Sequence, residues 1–149
     1  MDSMDRLIVV STGAPALHLR VEADLRRLAL VRAIAETFAE TAHFTNSEVD
    51  DIVVALDEAA TGLLLAATPD AQLHVQLTAD EFRLRMRLSA VCLTSRPIDG
   101  ASLGWRVLSA ITEGPTVAGE SFDPVRGGYP VTMVLTRLRS VLGRGGPSH

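Results

Sequence analysis

Asp57 and Glu58 sit side by side in the middle of an apolar run, a less ordinary place for an acidic pair than a solvated surface. The run, Ser47 to Ala67, reads SEVDDIVVALDEAATGLLLAA. Val49, Ile52, Val53, Leu56, Ala59, Ala60, Leu63 and Leu64 recur at helical spacing, which predicts an amphipathic helix lying on a core. Glu58 falls at the edge of that stripe, beside Ile52, Leu56, Ala59 and Leu63. A carboxylate at such an edge is either a solvated flank or a group facing a cleft. Acidic side chains are mostly exposed, so the flank is the default.

Other reactive side chains are sparse. Cys92 is the lone cysteine, so no intramolecular disulfide can form and an oxidising compartment is not implied. A lone cysteine is most often a small buried hydrophobe. Cys92 and His74 could line a small-ligand pocket, but no His/Cys spacing suggests zinc and no metal site is expected. Ser, His and Asp are scattered without a nucleophile turn, so triad chemistry is not readable. Arg83, Arg85 and Arg87 form a row at alternate positions, which reads as the solvated face of a strand with partner binding as the second reading.

Composition narrows the classes. The chain has 149 residues, 47% hydrophobic and 21% charged, which fits one globular domain with a real core. Aromatics are only 4%, so Leu, Val, Ile and Ala must build that core. A formal net charge of -4 argues against nonspecific nucleic-acid binding, which needs a basic face. The acidic opening Met1-Asp2-Ser3-Met4-Asp5 does not resemble a signal peptide, and no run reaches the length of a membrane span. A cytoplasmic protein is the expectation.

The elements that must position these residues follow from the pattern. Residues 1–16 hold Leu7-Ile8-Val9-Val10 and then a turn cluster, expected to be an edge strand or a loose arm. Leu17 to Ala23 alternates as a half-buried strand. Asp24 can cap a helix with Leu28, Val31, Ala35 and Phe38 on its apolar stripe. Thr45-Asn46-Ser47-Glu48 has the form of a capping box, although a start at Ser47 fits as well. Leu73, Val75 and Leu77 alternate as one strand, and Phe82, Leu84, Met86 and Leu88 as the inward face of another. Val91 to Ala101 reads as a loop and Leu103 to Thr112 as a third helix. Thr116 to Phe122 reads as a short strand, and Tyr129 to Leu138 as the last one, with Pro130 at its start or on an edge. Residues 17–139 form the expected domain, and 140–149 a flexible tail. The order predicts an α+β two-layer sandwich, a mostly antiparallel sheet with three helices on one face.

Four segments carry a family resemblance across roughly residues 17 to 138. Leu28 to Thr41 resembles a first helix, and Ala55-Leu56-Asp57-Glu58-Ala59-Ala60-Thr61 a second-helix motif with a fixed Glu. Gly100-Ala101-Ser102-Leu103-Gly104-Trp105-Arg106-Val107-Leu108 resembles a glycine-rich turn entering a helix, and Gly128 a glycine before the last core strand. Together they resemble the GHKL, or Bergerat-fold, ATPases, and within them the anti-sigma factors related to the stress and sporulation serine kinases.

The resemblance implies a nucleotide site and also its decay. In kinase relatives the Glu acts on the nucleophile as a general base, and an Asn one turn later holds Mg²⁺. Here Glu58 is present and the Asn position is Gly62. Glycine has no ligand atom and costs about 1 kcal/mol relative to Ala inside a helix, so another reason such as close packing is expected for it. The segment that reads adenine in relatives falls at Ala90-Val91-Cys92-Leu93-Thr94, without its Asp or glycines. Gly100 and Gly104 keep part of the phosphate-cradling turn. The resemblance therefore implies an anti-sigma factor with ATP and Mg²⁺ binding weakened or lost. The implied partners are a sigma factor, an anti-sigma-factor antagonist and a second copy of the chain, with Arg26, Arg27, Arg32 and Glu36 at the contact surface. An active serine/threonine kinase using ATP, Mg²⁺ and Glu58 is the alternative. Trp105 is expected in the core, where its bulk could fill the nucleotide's space.

Overall fold

A computed structural model describes residues 6–11 and 15–140. In chain order the elements are β1 (Arg6–Ser11), β2 (Pro15–Glu22), a short 3-10 turn (Leu25–Arg27), α1 (Leu28–Thr41), α2 (Asn46–Ala66), β3 (Gln72–Ala79), β4 (Arg83–Cys92), α3 (Leu103–Ile111), β5 (Thr116–Gly119) and β6 (Tyr129–Leu138). The sheet order is β1-β2-β3-β4-β6-β5, with every neighbouring pair antiparallel. This is the α+β sandwich that the alternation of apolar residues demands. Leu19, Val75, Leu88 and Met133 point to the helix side and are almost fully buried. Their neighbours on the other parity stay exposed or half-buried.

Short polar side chains satisfy free backbone N–H groups at the starts of α2, α3 and the 3-10 turn. α1 follows Arg27 without a side-chain cap, so that Asp24 caps the 3-10 turn and not the helix with Leu28, Val31, Ala35 and Phe38. Asp24 accepts from the Arg26 backbone N–H at 2.9 Å, and the Arg26 side chain clasps the same carboxylate. That hydrogen bond from the Arg26 guanidinium leads the causes that hold the Asp24 carboxyl down to about 2. Of the two starts open for α2, the structure has Thr45 as the cap. The Thr45 hydroxyl accepts from the Glu48 backbone, and the Glu48 carboxylate accepts from the Thr45 backbone at 2.8 Å. Glu48 is 2% exposed, and its second oxygen accepts from the backbone N–H of Ser140. A first-turn carboxylate thus also holds the chain where it leaves β6.

Three strand boundaries, both ends of β4 and the end of β5, differ from the sequence pattern. Phe82, expected to face inward, is 62% exposed, because Asp80 Oδ1 accepts from the backbone of Phe82 and Arg83 and turns the chain before the strand begins. β4 then runs on to Cys92, pairing Val91 with Pro130 and Cys92 with Tyr129. Residues 91–92 therefore belong to the sheet and not to the loop. β5 stops at Gly119, short of Phe122. Pro130 lies at the second position of an interior strand, where its missing N–H coincides with the end of the β5 ladder. β1 forms one edge of the sheet, and β5 the other, among the described residues. The expected tail lies, Ser140 apart, outside the described residues.

Candidate functional site

α2 is the axis of the helix layer. Ile52, Ala55, Leu56, Ala59, Ala60 and Leu63 show no exposed surface. Burying each large side chain contributes roughly 1.5–3 kcal/mol, which fixes the helix's rotation about its own axis. With that rotation set, Asp57 and Glu58 emerge half-buried on the flank of the core stripe. They then part company. Asp57 turns towards α1, where its Oδ1 accepts from Arg32 Nη2 at 2.9 Å. Glu58 turns towards α3, and its Oε2 lies so close to Gly104 that a methyl group there would overlap it. Gly104 is in the first turn of α3, behind the Ser102 cap that accepts from the Trp105 N–H at 3.2 Å. The free N–H groups and dipole of a helix start favour negative charge, and phosphates seek the same place. In this chain a carboxylate stands against it.

Gly62 lies one turn further along α2. A Cβ there would come within 2.6 Å of Ile98 Cγ1 and 2.7 Å of Ile98 Cδ1. Close packing, the expected reason for this glycine, is what the structure has. Ile98 comes from the segment between β4 and α3, which folds back over α2. Asp99 locks the end of that segment, its Oδ1 accepting from the Ala101 N–H at 2.9 Å and its carbonyl from the Ser102 hydroxyl at 2.6 Å. Gly100 has no atom within 4 Å of a Cβ position. Gly100 and Gly104 thus differ: the first stands in open space, and the second is pressed against Glu58. Beyond Ile98 an open cavity of about 740 Å³ lies between this segment, Trp105 and β5. Trp105 is half-buried and packs against the core.

Arg26 and Arg27 occupy the 3-10 turn, and Arg32 and Glu36 the body of α1. Arg26, Arg32 and Glu36 are exposed, whereas Arg27 is half-buried with its Nη2 donating to Glu22 at 3.0 Å. Cys92 and His74 do not share a pocket. Cys92 faces the core, where burial pushes its thiol up to about 11, and His74 lies on the opposite parity of the sheet. Among the described residues no cluster of His, Cys, Asp or Glu could hold a metal ion, and no helix is long and apolar enough to cross a membrane. The ion pair of Asp57 and the steric fit of Gly62 with Ile98 were beyond sequence reasoning, although the unfavourable helical glycine marked the second.

The fold and the close α2–α3 junction define an α+β sandwich with its helices packed on one face of an antiparallel sheet. No protein-family model matches the chain. The chain is similar to the anti-sigma-F factor RsbW of Mycobacterium tuberculosis, in strains CDC 1551 / Oshkosh and ATCC 25618 / H37Rv. Each is 28% identical over 132 residues, covering 89% of this chain and 79% of the relative. The similarity spans most of the chain and supports a relationship to the anti-sigma factors.

Proposed function

We propose that this protein is an anti-sigma factor of the GHKL type, which sequesters an RNA polymerase sigma factor by protein–protein contact and yields it to an anti-sigma-factor antagonist. The observation that carries this reading is the similarity to anti-sigma-F factors over 89% of the chain. On this reading the protein works in the cytoplasm as a homodimer, within a stress response, and presents Arg26, Arg32 and Glu36 to its partner, with Arg27 at the margin.

The same reading includes loss or weakening of ATP binding. Two contacts support it. Ile98 fills the space beside Gly62, into which a magnesium-holding side chain would project from α2. Glu58 stands beside Gly104 at the start of α3, where the negative charge of an arriving phosphate would meet its own. Mg²⁺ demands several oxygen ligands in near-octahedral geometry, and an isoleucine offers none.

Affinity capture of the tagged protein from its host tests the first half: a sigma factor should co-purify. Calorimetric titration with ATP, with and without Mg²⁺, tests the second. No heat and no thermal stabilisation are expected, since any ligand preferring the folded state must stabilise it. Saturable micromolar binding would instead favour an active serine/threonine kinase with Glu58 as its base.

A further inference from the structure

Among the described residues the helices cover one face of the sheet and leave the other without a covering element. The register lays out the other face row by row. One row runs Arg20, His74, Ser89, Thr132, Ala118 across β2, β3, β4, β6 and β5. The next runs His18, Gln76, Arg87, Val134, Thr116, and the third Ala16, Thr78, Arg85, Thr136. These rows carry Arg20, Arg85, Arg87, His18 and His74 and no acidic side chain. Arg85 and Arg87 are exposed, and neither forms an ion pair among the described residues. Arg20 Nε is buried without a hydrogen-bond partner. Among the described residues, acids stand around the margins of this face: Glu22, Asp70 and Glu120 at one end, Asp80 and Glu81 at the other, and Glu113 where its backbone meets Thr136.

A protein with a net charge of -4 thus concentrates unpaired positive charge on the sheet face that no element covers among the described residues. An exposed arginine costs little where it is, but a field of them without counter-charges attracts an anionic surface and steers its approach. We propose that this face is the docking surface for an acidic polypeptide segment, distinct from the α1 surface of the anti-sigma reading and independent of it. Arg85 and Arg87 stand two residues apart, about 7 Å along the strand. Alternate carboxylates of an extended segment have the same spacing, as do carboxylates one turn apart on a helix, at about 6 Å. A second copy is disfavoured as occupant, because the face would meet its own positive rows. Nucleic acid is disfavoured by the protein's overall negative charge.

Fluorescence anisotropy with a fluorescein-labelled oligoglutamate and the intact protein tests the proposal, with oligothymidylate of matched charge as the competing probe. Arg85→Ser combined with Arg87→Ser removes two exposed side chains without touching the core. Saturable oligoglutamate binding is expected, weakened roughly tenfold by this double substitution and progressively by salt. Arg106→Ser, an exposed charge on α3, should leave it unchanged. The proposal is overturned by absence of saturable binding, by an equal loss in Arg106→Ser, or by tighter binding of oligothymidylate. A change in sedimenting mass on the double substitution would also overturn it, since it would mean that a second copy covers the face.

Discussion

Ile98 packs into the notch left by Gly62, so that the segment joining β4 to α3 and the middle of α2 fit together only because residue 62 has no side chain. Gly62→Ala should therefore act in two opposed ways. It gains about 1 kcal/mol of helix propensity and drives a methyl group into Ile98, at an overpacking cost of about 1–3 kcal/mol. A net loss of stability is expected in urea unfolding. In an Ile98→Ala background the same substitution should stabilise. A double-mutant cycle with no coupling would show that the two residues do not meet in solution.

Glu48 predicts an acid-sensitive joint. Burial pushes its carboxyl up, but hydrogen bonds from Thr45 and Ser140 outweigh this and leave it below the usual 4.5. A depressed carboxyl stabilises the fold at pH values above the unfolded one, and that stability is lost as pH falls below about 4.5 and through the folded value. Glu48→Ala should cost about 1–3 kcal/mol at neutral pH by stranding its donors. The Glu48→Gln protein should show a flatter dependence of urea midpoint on pH between neutrality and pH 4 to 3. A slope equal to the parent's would place the acid sensitivity elsewhere.

His74 responds in the opposite range. Burial, then the charges of His18, Arg20 and Arg126, lower it from 6.5. The folded state therefore prefers the neutral ring, and the unfolded chain takes up the proton first as pH falls. His74 contributes nothing above about 6.5 and increasingly destabilises the fold below it, until the folded ring also protonates. Titration by NMR should find His74 below 6.5, and Arg126→Ala should raise it. An unchanged titration in that variant would separate Arg126 from the ring.

Cys92 should be unreactive in the native protein. Its side chain is wholly buried and its thiol is pushed up to about 11, whereas the thiolate is the species that attacks disulfide reagents. Labelling by Ellman's reagent at neutral pH should proceed only at the rate of opening, and urea should accelerate it in parallel with loss of structure. Rapid native labelling would mean that the β4 end is open.

Much of this architecture is legible in the residues because each signal is local. The Thr45–Glu48 box announces α2, and strict alternation announces β2, β3 and β6. What escaped depends on distance. Glu48 meets Ser140 92 positions away, and nothing near Glu48 hints at it. β4 extends through Ser89-Ala90-Val91-Cys92, where small and apolar residues on both parities hide the alternation that Arg83 to Leu88 displays. At the candidate site the sequence singled out Glu58 and Gly62, since an acid in an apolar run and a glycine in a helix are both costly without a purpose, and the family resemblance added Gly104. It could not supply Ile98, which lies in a segment with no period. Nor could it separate the fates of Asp57 and Glu58, because adjacent helical residues point about 100° apart and only the neighbouring helices decide what each meets.

Arg32 offers a means of separating fold from partner. Its Nη2 to Asp57 Oδ1 contact bridges α1 and α2 on the surface, with side chains 45% and 39% exposed. Such a pair is worth at most about 1 kcal/mol, so Arg32→Ala should barely move the unfolding midpoint. If α1 is the sigma-binding surface, the same substitution should weaken capture of the sigma factor by more than it weakens the fold. Exchanging the charges, Arg32→Asp with Asp57→Arg, sharpens the comparison. The pair can re-form, so stability should stay within about 1 kcal/mol of the parent, while the sign of the charge that α1 presents is reversed. Capture of the sigma factor from host extract should then fail in a protein that melts normally. Full capture by the exchanged protein would remove Arg32 from the contact and direct the search away from α1.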